Sequence, residues 1–355
     1  MIFEGEYLNG KRNGKGKEYY KDGKLKFEGE YINGKIRYGK GYNKEGKIDF
    51  EIKEGNGKGK LFYSDGKLKF EGEYLNGEIN GKGKEYTNDG ELEYEGEYLN
   101  GERNGKGKEY DYNGKLEYEG EYLNGERNGK GKEYYSNGEL YFEGEYINGK
   151  RWNGKGFNKE GNFDFEIKEG NGKGIEYNKY GELKFEGEYV NGERNGKGIE
   201  YYYSLYYELK FEGEYVNGER NGKGKEYKAD ELEFEGEFLN GEKNGKGKEY
   251  DISTNCMIFE GEYLNGKRNG KGIEYYYFLD GELKFEGEYL NGDRNGKGKE
   301  YNNNGKLEFE GEYKNGKRWN GKSKEYYNNG KLKFEGEYIN GDRNSKGKEY
   351  DSMVN

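Results

Sequence analysis

The chain has 355 residues, with 62 Lys and Arg against 72 Asp and Glu, a net charge of −10, which disfavours a general affinity for phosphate backbones or acidic lipid. Hydrophobic residues make up only 29% and charged residues 38%, but 41 Tyr and 18 Phe are too many for a disordered polyelectrolyte. With no His and a single Cys256, a zinc or iron centre, an activated thiol nucleophile and an intramolecular disulfide all lack their raw material, so no cofactor is expected.

Read from its start, the chain opens on Phe3-Glu4-Gly5-Glu6-Tyr7, and this phrase or a one-letter variant recurs at residues 27, 70, 94, 118, 142, 185, 211, 234, 259, 285, 309 and 334. Most spacings are 23 to 26 residues, and the two near-double gaps hold an altered copy, Phe-Glu-Ile-Lys-Glu, at Phe50 and Phe165. A period this short marks one supersecondary unit per repeat, stabilised by its neighbours. Met1 leads directly into the first repeat, which suggests no signal peptide and a cytoplasmic protein.

Within a repeat, Leu25, Phe27, Gly29 and Tyr31 share one parity while Lys26, Glu28 and Glu30 share the other, the alternation of a strand with one wet side. Asn-Gly, as at Asn9-Gly10, turns this first strand into a second, and Asp22-Gly23 or Asn113-Gly114 turns the second into the next first strand. The second strand, Gly14 to Tyr20, leaves its buried face open. Alternation groups Gly14, Gly16, Glu18 and Tyr20, whereas Ile175, Ile199 and Ile273 at the Lys17 position favour the other parity, a conflict that a bulge would resolve. The Gly-x-Gly pair leaves room for rings of the neighbouring strand to lie across the backbone. On the wet face, Glu28 and Glu30 are expected to stand opposite lysines of adjacent strands.

The run Gly5-Glu6-Tyr7-x-Asn9-Gly10-Lys11-x-x-Gly14-x-Gly16, repeated through Gly336-Glu337-Tyr338-x-Asn340-Gly341, resembles the MORN repeat (membrane occupation and recognition nexus) from residue 3 to 350. Its spelling is similar to the variant of bacterial and viral proteins, some of them antitoxin-like. Many family members carry an aromatic where this chain has Glu18. The resemblance implies a twisted, elongated antiparallel sheet used for scaffolding, dimerisation or membrane-proximal attachment, without chemistry by the repeats themselves. The family includes lipid-kinase and methyltransferase relatives, but no residues here lie outside the repeats to carry such an activity.

Several irregularities have a functional and a neutral reading. Residues 27–69 and 142–184 repeat the same intact-plus-altered pair at an offset of 115, which points to a block duplication; the shorter hairpin either bends the rod or opens a partner site at Ile52 and Ile167, or is inherited neutral variation. Residues 1–16 and 257–272 are identical, marking a sub-boundary near 251–257 or a copying event joined by a longer turn. Trp152 and Trp319, each in Lys-Arg-Trp-Asn-Gly-Lys, are read as hairpin-loop residues that anchor a partner or fold back on their own unit. The paired acids of Glu28-x-Glu30 recur with constant neighbours, unlike a catalytic dyad in a singular pocket. Gly-Lys-Gly lacks the spacing of a phosphate loop.

The sequence therefore predicts an all-β protein: a single-layer antiparallel meander of about 15 hairpins of ~24 residues, forming one continuous array over 1–355 and a twisted rod of roughly 140 Å. The expected function is a non-enzymatic scaffold presenting a long aromatic groove built from Phe27, Tyr31, Phe70, Tyr74, Tyr94, Tyr98, Tyr118, Tyr122, Phe142 and Tyr146, with Trp152 and Trp319. The expected partner is another protein or a second copy, and nucleic acid is not expected. The alternative is a peripheral membrane module using Lys11-Arg12, Lys15 and Lys17, opposed by the interleaved glutamates.

Overall fold

The computed structural model describes residues 2–202, 208–277, 281–344 and 347–351, and among them are 31 strands and no helix. Fifteen strands, from Phe3–Leu8 to Phe163–Ile167, hydrogen-bond in chain order as one antiparallel sheet. A second sheet of 16 strands begins at Gly172–Tyr177 and follows the same order. Neither closes into a barrel. The chain divides into two compact units, Met1–Gly181 and Glu182–Asn355.

The regular hairpin tips are Asn-Gly pairs with both residues left-handed, such as Asn33 at φ 51° and Gly34 at φ 87°, and the two altered hairpins use Glu54-Gly55 and Glu169-Gly170 in the same conformation, the backbone that matches the right-handed twist of the flanking strands. The bulge that the second strand required is present. Between the pairs Gly120↔Gly131 and Tyr122↔Arg127, Glu121 alone faces Asn128, Gly129 and Lys130. Gly129 takes φ 97° there, and the Glu121 carboxylate accepts the Lys130 N–H at 3.1 Å, satisfying a donor that the interrupted ladder leaves over. Because the bulge adds two residues, parity is preserved, and Gly131 and Glu133 stay on the same face as Tyr118 and Tyr122.

That face is the core. Tyr94, Tyr118, Phe142, Phe185, Phe211, Phe234, Phe259, Phe285 and Phe309 have no exposed surface. In the first unit Tyr94, Tyr98, Tyr118, Tyr122 and Tyr146 form a running edge-to-face series with centroids 5.3–5.5 Å apart. In the second unit the series runs from Phe185 through Tyr215, Phe211 and Phe238 to Phe309 and Tyr313. Such pairs add about 0.5–1.5 kcal/mol each beyond the area they bury. The rings lie on glycine: a Cβ at Gly131 would sit 2.6 Å from Cε2 of Tyr118, closer than packing allows.

Three sequence expectations are corrected. Phe27, Tyr31, Phe70, Tyr74, Tyr94, Tyr98, Tyr118, Tyr122, Phe142 and Tyr146 are each 8% exposed or less, so these rings are core and line no open groove; their neighbours in adjacent repeats cover them. Ile52 and Ile167, at 1% and 3% exposure, fill the core at a position that is glycine elsewhere, and offer no partner site. The array is also two sheets rather than one. At the second altered hairpin the tight Lys168–Asn171 turn makes a single bridge, and the Tyr141 hydroxyl donates to Ile175 C=O and accepts from Tyr177 N–H, both at 3.2 Å. Residues 251–256 form a turn within the second unit, organised by Asp251, whose carboxylate accepts the Ser253 and Thr254 N–H groups.

One position carries a test. Eleven of 13 intact repeats begin with Phe, but Tyr94 is a tyrosine there, and its buried hydroxyl has no hydrogen-bond partner among the described residues. An unsatisfied buried hydroxyl costs free energy. Tyr94→Phe is expected to stabilise the first unit by about 1 kcal/mol, read as a higher denaturant midpoint; a lower midpoint would mean that the hydroxyl is satisfied in solution.

A glycine-floored charged groove as the candidate functional site

A chain of ion pairs lies over the aromatic core. In most repeats the second strand carries Arg and, six residues on, Glu, as in Arg127 and Glu133, with Lys243 and Ile79 taking the Arg position in two repeats, and Arg103, Arg127, Arg220, Arg268 and Arg294 each bridge the glutamate of their own strand to that of the preceding repeat. Arg127 reaches Glu109 and Glu133, and Arg151 reaches Glu133 at 2.6 Å. In the second unit Arg294 joins Glu274 to Glu300, and Arg318 takes Glu300 at 2.6 Å. The guanidinium also caps a ring, Arg127 at 4.1 Å from the Tyr118 centroid, a cation–π contact. The same glutamates accept tyrosine hydroxyls: Tyr146 gives to Glu133 at 2.6 Å and Tyr289 to Glu274 at 2.7 Å.

This seam changes the acids it contains. Burial alone would raise the Glu133 carboxyl, but Arg151, Arg127 and the Tyr146 hydroxyl outweigh it and hold it at about 2. Glu274 is held at about 2 in the same way by Arg294 and Tyr289 against its burial. These shifts arise from structural ion pairing, which perturbs acids without making a site, and neither acid lines the grooves of the opposite face. Residues of this seam went unread in the sequence because a charge at a core-facing position looks like solvent-facing alternation. The recurring Arg-Asn-Gly-x-Gly-x-Glu was the available signal.

The opposite face carries the open feature. In the first unit a groove of about 1350 Å³ extends across strands from Asp49 to Glu145, and a second stretch of about 1160 Å³ lies between Glu4 and Glu54. Its floor is the row of paired glycines, Gly96↔Gly107 and Gly120↔Gly131 among them. Its walls are two rows of alternating Glu and Lys, set by the register Lys108↔Glu119 and Lys106↔Glu121. The expected cross-strand opposite-charge pairing is present, but the two walls use it differently.

Along the first wall Glu95 and Glu119 are each occupied by a lysine and a tyrosine, while Glu71 takes the Tyr86 hydroxyl and Glu143 takes Lys132. Glu95 takes Lys84 at 3.2 Å and the Tyr110 hydroxyl at 2.7 Å, and Glu119 takes Lys108 at 3.5 Å and Tyr134 at 2.8 Å. Along the second wall Glu73, Glu97 and Glu121 turn instead to the bulge N–H groups of Lys82, Lys106 and Lys130. The Lys58, Lys82, Lys106 and Lys130 ammonium groups therefore make no ion pair among the described residues. Two strands per repeat space successive ones by about 10 Å. The groove thus combines a side-chain-free floor with a periodic row of exposed cations.

The remaining sequence candidates lie elsewhere. Trp152 and Trp319 are in the strands Lys150–Phe157 and Lys317–Tyr326 rather than in loops. Each is the extra residue of a shorter bulge, between Arg151 and Asn153 and between Arg318 and Asn320, and each is half-buried, Trp319 under Lys314 Nζ at 4.5 Å. Cys256 is half-buried beside the Thr254 carbonyl at 3.6 Å. Among the described residues no cluster of three His, Cys, Asp or Glu has the geometry of a metal site, and no helix is long and apolar enough to cross a membrane.

The family model of the MORN repeat matches residues 3–24, 70–91, 94–115, 118–139, 185–204, 211–232, 234–253, 259–277 and 334–353, and that of the MORN repeat variant matches 56–76, 294–315 and 319–340. The chain belongs to the MORN-repeat family. Nine MORN and three variant repeats are thus recognised, and the altered hairpins at Phe50 and Phe165 begin outside them. No curated protein matches the chain. Among solved structures it is similar to the crystal structures of TcdB2-TccC3-TEV and TcdB2-TccC3-Cdc42, at 10% and 11% identity over 94% of this chain with a TM-score of 0.18, and it spans only 22% of the length of each. In MORN terms, the Gly-Glu-Tyr signature places one residue in each layer: Gly under a ring, Glu on the bulge and Tyr in the core.

Proposed function

We propose that this MORN array is a non-enzymatic, cytoplasmic scaffold that holds an extended acidic segment of a partner protein along the charged groove. The supporting observation is the row Lys58, Lys82, Lys106 and Lys130, left without carboxylate partners because the facing glutamates serve the bulges. A polyproline II segment rises about 9.3 Å in three residues, close to the two-strand spacing of about 9.6 Å, so an acid at every third position meets successive lysines. Each contact is weak and affinity accumulates along the row.

The test is binding of a fluorescent peptide of repeated Glu-Pro-Pro triplets to the full chain. Binding is expected to be salt-sensitive and to fall about tenfold with each of Lys82→Glu, Lys106→Glu and Lys130→Glu in turn. Absence of binding, or binding indifferent to the three substitutions, overturns the reading. Flotation with acidic vesicles is the second arm: salt-sensitive flotation lost in the same variants, with no peptide binding, would replace the protein partner by a membrane surface.

A further inference from the structure

In the second unit the face opposite the aromatic core repeats the chemistry of the groove with one change. Its second strands carry the exposed row Lys197, Lys223, Lys246, Lys271 and Lys297. Each gives its backbone N–H to a glutamate across the bulge, as Lys197 does to Glu188 at 3.2 Å and Lys271 to Glu262 at 3.3 Å. These ammonium groups, like those of the first unit, therefore make no ion pair among the described residues. Glycine pairs such as Gly213↔Gly224 and Gly236↔Gly247 again form the floor.

The change is in the first wall. Two residues after the row, the first unit places lysines such as Lys84 and Lys108, whereas the second has Ile199 and Ile273, with Lys225 and Lys248 in the repeats between them. Register sets Ile199 opposite Glu186 and Glu212, and Ile273 opposite Glu260 and Glu286. Both isoleucines are half-buried on the side away from the ring cluster and fill no core. Glu212 is taken by Lys225 at 3.2 Å and the Tyr227 hydroxyl at 2.7 Å, and Glu286 by Lys299 at 3.5 Å and the Tyr301 hydroxyl at 2.9 Å. Each isoleucine is thus an apolar break in a charged wall, beside a carboxylate that already has its partners.

We propose that the second unit selects an acidic segment of a partner protein that carries two apolar side chains about nine residues apart, one seated on Ile199 and the other on Ile273. This rests on the groove reading above and adds its specificity. The strands of the two isoleucines, Glu193–Tyr201 and Lys267–Tyr275, are six apart in the sheet order, a span of about 29 Å, and nine polyproline II residues cover about 28 Å. Because this helix has three residues per turn, one edge of the segment keeps an acid on each successive lysine while the next edge lies along the first wall. There the apolar side chains meet the isoleucines, and the two turns between them meet Lys225 and Lys248. At the isoleucine repeats the walls hold two glutamates against one lysine, whereas Glu119, Glu121, Lys130 and Lys132 are balanced. The second unit therefore holds a purely acidic segment less well than the first, and the apolar contacts make up the difference.

The test compares three fluorescent peptides on the full chain carrying Lys82→Glu, Lys106→Glu and Lys130→Glu, which disable the first row. One is the plain Glu-Pro-Pro repeat, and the others have Glu-Leu-Leu in place of two triplets, either three triplets apart or two. The peptide with leucines three triplets apart is expected to bind about tenfold more tightly than either of the others. Adding Ile199→Thr and Ile273→Thr, which keeps β-branched strand residues and the net charge, should cancel that gain and leave the plain repeat unaffected. A gain that ignores the leucine spacing or survives the threonines, or leucine peptides that lose binding together with the plain repeat when the first row is reversed, overturns this inference and leaves the groove reading standing. No binding of any peptide to the parent chain overturns both. The spacing comparison needs no change at the isoleucines, and an unchanged far-ultraviolet spectrum of the threonine variant separates lost selectivity from lost folding.

Discussion

Tyr118→Ala is expected to cost about 3–5 kcal/mol and to open the repeats around it while leaving distant repeats folded. The ring is fully buried, meets Tyr122 and Tyr146 edge-to-face at 5.5 and 5.4 Å and lies across Gly131 with Arg127 above it. Glycine has no side chain with which to refill the space, so the cavity term stays near the upper end for an aromatic truncation. In a linear array each repeat is stabilised by its nearest neighbours, and the loss is local. Native-state hydrogen exchange should accelerate by about two to three orders of magnitude in residues 94–146 and stay unchanged beyond residue 208. Unchanged exchange in 94–146 would show that the ring is dispensable, and uniform acceleration would show that the array opens as one cooperative block.

The second large effect is on pH. Glu133 and Glu274 have folded pKa values of about 2 against about 4.3 for a free Glu, and Glu200, Glu249 and Glu300 are also lowered, in each case by a partner arginine overcoming the cost of burial. A lowered folded pKa means that the unfolded chain binds more protons in between. The stabilisation is therefore complete above about pH 5 and lost as pH falls towards 2. Each of the first two acids contributes about 3 kcal/mol at neutral pH by this linkage. Glu133→Gln, which leaves Arg151 without its carboxylate, should cost about 3 kcal/mol at pH 7 and flatten the acid limb of the stability curve. An acid limb as steep as that of the parent chain would sink the assignment.

The alkaline side has the opposite sign. Tyr86, Tyr110 and Tyr134 are raised to about 12, by burial first and by hydrogen bonds to Glu71, Glu95 and Glu119 second. A raised folded pKa favours the protonated fold, so this contribution is present below about pH 10 and lost as pH rises towards 12. Phenolate absorbance should appear late and together with loss of sheet signal. Tyrosines ionising near pH 10 with the sheet intact would contradict the burial.

Much of the architecture was legible because two local codes agree. Alternation in Leu25, Phe27, Gly29 and Tyr31 needs only a strand, and Asn-Gly needs only a left-handed pair, so element type, hairpin order and period follow from neighbours in sequence. The second strand was not legible from alternation. Its bulge depends on Glu121 reaching across to the Lys130 N–H, and its core-facing, half-buried glutamate, Glu133, is paired with Arg151, 18 residues away. Neither partner can be identified from the parity of one strand. Burial removed the partner-site reading of Ile52 and Ile167, and the break between sheets shows only in the backbone pairing at Lys168–Asn171.

Residue order alone settles the MORN repeat, its strands and turns, and which side of the first strand is aromatic, because each of these is set by contacts within one period. What that aromatic side does was decided only by three-dimensional packing. A row of rings on one face of a sheet reads as an open groove until neighbouring repeats bring the rings edge to face and the Arg–Glu seam closes over them. Exposure is a property of the neighbours in space, and so the same packing left the charged face, with its glycine floor and its lysines that make no ion pair among the described residues, as the open one.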